Sequence, residues 1–196
     1  VFTLKGHGCW QSALKARRRL ITTPRAACLL LFVFYTSVAE AMHADLPGSV
    51  LFCCDHNAVR SPMAEGIMKK FYGADTYVQS VGVMNDQEID GFAIAVCAEI
   101  GVELSRHQSR SFDQMEQWGD NLSSFDLILS LSPASQRRAQ ELTRYFHLEV
   151  NYWPIMDPTG LGEGRDSQLR SYRQSRDQIV AELTQRWGPS RAISLP

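Results

Sequence analysis

A chain of 196 residues, 44% of them apolar, is long enough to bury its own core as one domain. The net charge of −1 hides an asymmetry: Lys5, Lys15, Arg17, Arg18, Arg19 and Arg25 face Glu40 alone within residues 1–41, so the remainder is acidic, which argues against a nucleic-acid-binding surface. The five cysteines (Cys9, Cys28, Cys53, Cys54, Cys97) form no C-x-x-C pair; they indicate neither a disulfide framework nor a zinc site, and they fit a reducing, cytoplasmic setting.

Residues 1–41 fall outside the strand–helix pattern, and the domain is expected over 42–196. Basic Arg17–Arg19, an apolar run from Ala26 to Phe34 and Ala39-Glu40-Ala41 have the order of a secretory signal. The run is too short to span a membrane. The basic region lies well inside the chain, and Val1 reads as a literal GTG start. The stretch therefore reads first as an over-extended frame with translation beginning at Met42, and otherwise as a signal or an unrelated extension.

Val50–Cys53 is an apolar run bounded by Pro47-Gly48 and by polar residues, which predicts a buried strand. Ser61-Pro62 predicts a helix start, with serine as N-cap and proline in the first turn. Met63, Ile67 and Phe71 share one face of that helix, and Gly73 ends it. A second strand runs from Tyr77 and closes at Gly82. Ile89, Phe92, Val96 and Ile100 mark a second helix, stopped by Gly101. Residues 105–125 are polar, with one short helix expected around Phe112–Trp118. Phe125–Leu131 is a third strand. Ser132-Pro133 repeats the cap signal, and Ser135, Ala139, Leu142 and Phe146 follow at helical spacing. Leu148–Trp153 is a fourth strand, followed by a Pro- and Gly-rich loop to Gly164. Leu169, Tyr172, Arg176, Ile179, Leu183 and Trp187 stripe a long last helix.

Alternating strands and helices predict an α/β fold, with a parallel sheet covered by helices on both faces. Ligands of such sheets bind at the carboxyl ends of the strands. Cys54 follows the first strand directly, and Asp157 lies just beyond the fourth. The two can meet despite their separation in sequence.

The residues between them and around them suit phosphoryl chemistry. A helix N-terminus and a nearby guanidinium stabilise a thiolate at Cys54. Asp55, His56, Asn57, Ala58, Val59 and Arg60 can present successive N–H groups to phosphate oxygens. Arg60 can grip two of those oxygens at once, which lysine cannot match. Asn57 tolerates the left-handed conformation a tight loop needs. Ser61 can support the thiolate, cap the helix, or both. Cys53 should point away from Cys54 into the sheet as a structural residue. Asp157, in Met156-Asp-Pro-Thr-Gly160, is the candidate general acid, although Asp-Pro also initiates turns. His107 and His147 read as structural or surface residues, whereas His56 lies inside the loop and is a second candidate proton donor.

Taken together, these residues resemble the low-molecular-weight protein tyrosine phosphatases from about Ser49 to Trp187. The family loop C-x-G-N-x-x-R-S matches Cys54, Asn57, Arg60 and Ser61, with Pro62 following. Ser80-Val-Gly82 is similar to the family's Ser-Ala-Gly, and Asp157-Pro158 matches its Asp-Pro. The resemblance implies a three-layer sandwich with a four-stranded parallel sheet in the order 2-1-3-4. It also implies Cys54 as nucleophile forming a cysteinyl-phosphate, Arg60 as phosphate clamp, Asp157 as acid, and Asn57 and Ser61 as loop supports. There are departures. His56 replaces the family's glycine, and Val59 stands where many members have a second cysteine. Thr159-Gly160 replace the aromatic residues that wall the phosphotyrosine pocket. Ser132 closes the third strand without the acidic residue common there.

The expected function is hydrolysis of phosphate monoesters, on a phosphorylated protein or a small aryl phosphate, with no metal or other cofactor. No nucleic-acid partner is expected, nor any membrane association of the 42–196 domain. The related thioredoxin-coupled arsenate reductases share the loop but relay oxidation through cysteines after the third strand, and this chain has none after Cys97. A non-catalytic phosphate-binding module is the remaining alternative.

Overall fold

The computed structural model describes residues 44–144 and 147–189. The signal-like stretch and the domain start at Met42 lie outside the described residues, as does Phe146. Four strands, β1 (Ser49–Cys54), β2 (Tyr77–Gly82), β3 (Leu127–Ser130) and β4 (Glu149–Tyr152), pair in parallel in the order β2-β1-β3-β4. The helices are α1 (Arg60–Tyr72), α2 (Gly91–Ala98), α3 (Pro133–Leu142) and α4 (Arg165–Trp187). The polar stretch before β3 folds as three short 3-10 turns, Phe112–Gln114, Glu116–Trp118 and Leu122–Ser124, rather than as one helix.

β1 is central and buried along its whole length, which explains its apolar run from Val50 to Cys54. Its side chains alternate between two cores. Val50, Phe52 and Cys54 join a cluster with Met63, Ile67, Val96, Ile179 and Leu183, on the side covered by α1, α2 and α4. Leu51 and Cys53 join Val81, Phe112, Phe125, Ile128 and Ala139 on the side of α3. Fully buried side chains such as Phe52, Leu51 and Met63 each contribute about 1.5–3 kcal/mol. A register slip in β1 would exchange the two sets, so the position of the loop after Cys54 is firmly specified.

The two Ser-Pro signals behave differently. Ser132 is the N-cap of α3, its Oγ accepting from the backbone N–H of Ser135 at 3.2 Å, with Pro133 at the first helical position. Ser61 is not a cap. The helical hydrogen bonding of α1 already begins with Met63 N–H donating to Val59 O at 3.1 Å, so Val59 is the N-cap residue and makes no side-chain capping bond. The Ser61 hydroxyl is turned instead toward the loop that precedes the helix. Among the described residues, no helix is long and apolar enough to cross a membrane.

Candidate active site

β1 ends at Cys54, and the chain turns through Asp55–Val59 into α1. Asn57 is the turning point. It is fully buried and has φ of 54°, the single positive value for a non-glycine residue among those described. Its amide is fully satisfied: Nδ2 donates to Ser61 Oγ (2.9 Å) and Ser80 Oγ (2.8 Å), while Oδ1 accepts from Arg110 N–H (3.0 Å) and bonds His107 Nε2 (3.1 Å). Since Oδ1 is the acceptor in this set, His107 carries its proton on Nε2. Gly82, at the end of β2, lets the loop come close. A Cβ there would stand 2.2 Å from Met84 O and 2.8 Å from Asn57 N.

Cys54 Sγ lies 3.0 Å from Ser61 Oγ, and Ser61 Oγ also lies 3.2 Å from Val81 O. A hydroxyl has one hydrogen, so Ser61 donates either to the sulfur or to the carbonyl. Cys53 faces the other way, toward Ser130 Oγ at 3.2 Å, and burial pushes its thiol up to about 12.

Arg60 is 6% exposed. Its Nη1 donates to Leu131 O (3.4 Å) and Ile155 O (3.5 Å). Its Nη2 meets Asp55 Oδ2 and, at 2.7 Å, Asp157 Oδ2. The other oxygen of Asp157 accepts from Thr159 N–H at 3.0 Å, so Asp157 holds its Asp-Pro turn and reaches into the site at once. That turn is tied to α4: Met156 N–H donates to Gln178 Oε1 (3.0 Å), and Ser175 Oγ donates to Met156 O (2.8 Å). His56 Nδ1 is 2.6 Å from Asp86 Oδ1, and this bond holds the Asp86 carboxyl below its usual range.

Cys54, His56, Arg60, Asp157 and Thr159 line one crevice with Ala58, Val59 and Gln87. Its free space of about 20 Å³ is roughly room for one water molecule. A wider cleft of about 420 Å³ runs beside it between residues 85–89 and 105–109, and Gln87 borders both. Of the residues expected from the sequence, Cys54, His56, Ala58, Val59, Arg60 and Asp157 line the crevice, while Asn57 bonds Ser61, whose Oγ lies beside Cys54 Sγ. Asp55 does not line the crevice; its side chain meets Arg60 Nη2.

Behind the loop lies a layer the sequence reading did not assign. Glu65 Oε2 accepts from Ser80 Oγ at 2.5 Å and lies 3.9 Å from His107 Nδ1. Ser109 Oγ donates to Asn57 O at 2.9 Å. Ser61 and Glu65 stand one turn apart on α1, and a glutamate on the buried face of Met63, Ala64, Ile67 and Met68 was the available signal. Nothing local marks His107. Burial holds its imidazole below the ordinary range, against the opposing pull of Glu65.

Comparisons with known proteins show the family and the fold. A model of the family described as low molecular weight phosphotyrosine protein phosphatase matches residues 49–187. "Arsenate reductase 2" of Staphylococcus epidermidis is 30% identical over 135 residues, 69% of this chain and 92% of that protein. A low molecular weight protein tyrosine phosphatase from T. tengcongensis superposes with a TM-score of 0.57 at 23% identity, over 70% of this chain and 95% of that one. An arsenate reductase in the phosphate binding state does so at 0.55 and 26% identity, over 69% and 92%.

Proposed function

Because the chain belongs to the low molecular weight phosphotyrosine protein phosphatase family, whose relatives here include phosphatases and arsenate reductases, we propose that it is a phosphatase hydrolysing phosphate monoesters through a cysteinyl-phosphate. One observation carries this reading: Cys54, Arg60 and Asp157 line one crevice at the carboxyl end of the sheet, at the N-terminus of α1.

In the first step the Cys54 thiolate attacks phosphorus. An S–P bond forms, the P–O bond to the leaving group breaks, and Asp157 gives its proton to the departing oxygen. Ser61 supports the thiolate by turning its one hydrogen from Val81 O to Sγ. The N–H groups of residues 55–60 and the Arg60 guanidinium hold the phosphoryl oxygens and gather the charge that develops on them. In the second step a water attacks phosphorus, Asp157 takes its proton, and the S–P bond breaks to release inorganic phosphate. Electrons balance without a redox partner.

Reduction of arsenate, by contrast, needs two electrons from thiols. No cysteine follows Cys97 in the matched region to relay them, which favours the hydrolytic reading. The substrate is a phosphorylated protein or a small aryl phosphate. The crevice is bordered by Thr159, His56 and Gln87 rather than by aromatic walls, so the phosphorylated side chain is gripped mainly by its phosphate. We further propose that the domain spans 42–196 and works in the cytoplasm, where a reactive thiol at Cys54 stays reduced.

Purified protein should turn over p-nitrophenyl phosphate in the presence of EDTA, and should not consume arsenate at the expense of thioredoxin or glutathione. Arsenate reduction without phosphate ester hydrolysis would reverse the assignment.

A further inference from the structure

Two carboxylates, Asp55 and Asp157, hold the same nitrogen of Arg60, and their settings differ. A guanidinium grips an oxyanion through two neighbouring N–H groups, and every such edge includes a terminal nitrogen. Nη1 donates to Leu131 O and Ile155 O, Nη2 donates to Asp55 Oδ2, and Asp157 Oδ2 is the ion-pair partner of that same Nη2 at 2.7 Å. A phosphate drawn to the crevice side of Nη2 therefore competes with Asp157 for that nitrogen.

Asp157 is the displaceable one. Its side chain is 46% exposed, it lines the crevice with Cys54, and it sits on a turn outside the sheet. The Asp55 side chain is 27% exposed and does not line the crevice. Its second oxygen accepts from Ser132 Oγ at 2.7 Å. Ser132 is itself buried and fixed as the N-cap of α3, so it braces Asp55 from a separate element.

Given the proposed role of Arg60, on which this rests, we infer that Asp55 is a positioning residue. Braced by Ser132, it keeps the guanidinium turned toward the crevice, while Asp157 is the carboxylate that phosphate displaces. The closed crevice is then the resting state. Arrival of the phosphate frees Asp157 from Arg60 and leaves it beside the leaving group.

This makes a prediction of sign. Simple electrostatics says that removing either carboxylate from an anion site tightens anion binding. If Asp157 competes with phosphate, Asp157→Asn should bind inorganic phosphate several-fold tighter. If Asp55 positions Arg60, Asp55→Asn should bind it about tenfold more weakly, the scale of one charge-assisted hydrogen bond. Ser132→Ala should move affinity in the same direction as Asp55→Asn, and Ser132→Thr, which keeps the hydroxyl, should restore it. In the double variant Asp55→Asn/Ser132→Ala, the second change should add little, as expected for residues acting through one another.

The measurement is calorimetric titration of the full chain with inorganic phosphate, with thermal unfolding to confirm that each variant is folded. If Asp55→Asn does not fold, the contrast between Ser132→Ala and Ser132→Thr carries the test. Tighter or unchanged phosphate binding in Asp55→Asn, or a Ser132→Thr variant as weak as Ser132→Ala, overturns the inference. The functional reading survives that result if the parent protein binds phosphate and Arg60→Lys does not. Absence of phosphate binding by the parent protein overturns both.

Discussion

The carboxylate of Asp157 lies 2.7 Å from the guanidinium of Arg60, closing the crevice above Cys54, although one residue belongs to the loop after β4 and the other opens α1. The other oxygen of the same aspartate bonds Thr159 N–H, so its carboxylate stays at the crevice when Arg60 releases it. An acid held here can reach a leaving oxygen once phosphate occupies Arg60.

The leaving group supplies the test of that role. Phenolate departs poorly without a proton, and p-nitrophenolate needs less help. Asp157→Ala should slow phenyl phosphate by about 10²-fold or more, the scale of general acid catalysis, and p-nitrophenyl phosphate by clearly less. Equal slowing of both substrates, with selective loss appearing in His56→Ala, would transfer the proton to His56, which Asp86 orients at 2.6 Å.

His107 links the loop to pH. Its folded-state affinity for a proton is lowered by burial, so the neutral form is the one that bonds Asn57. Such a group contributes stability that is full above its unfolded value of 6.5 and is lost as pH falls below that toward the folded value. Replacement by glutamine, which can still donate to Asn57 Oδ1, should flatten the fall in unfolding free energy as pH drops below 6.5. Denaturant titrations at several pH values would show it. An unchanged slope in His107→Gln would mean that other groups govern the acid limb.

The cysteines should differ sharply in reactivity. Cys53 and Cys97 are fully buried, and desolvation pushes each thiol up to about 12. At neutral pH iodoacetate should carboxymethylate Cys54 among these three, and inorganic phosphate should slow the reaction. Peptide mapping of the folded protein reads this directly. Modification of Cys53 or Cys97 at a comparable rate would contradict the picture of two inert thiols behind one reactive one.

These contrasts show what the sequence could and could not reveal. The strands and the loop were legible because their signals are local: an apolar run, C-x5-R, and a helix start; the strand order came only with the family resemblance those residues carry. The alternation along β1 also separated Cys53 from Cys54 correctly. The sequence leaves Ser61 as thiolate support, cap, or both, because Ser-Pro has the same local meaning at Ser61 and at Ser132. The fold removes the cap: the Ser61 hydroxyl meets Cys54 and Asn57, while that of Ser132 caps α3. His107, Glu65 and the side chain of Asp55 were invisible as site residues for a related reason. Their partners arrive from other elements, and no periodicity records such meetings.

The central claim is that Cys54 attacks phosphorus. The direct measurement is p-nitrophenyl phosphate turnover by Cys54→Ser beside the parent protein, both shown to be folded and to bind vanadate. A serine hydroxyl at this position is not ionised near neutral pH, so activity should fall by at least about 10³-fold while the anion still binds. Activity within about tenfold of the parent, a difference of only about 1.4 kcal/mol in barrier, would show that the reaction does not pass through Cys54.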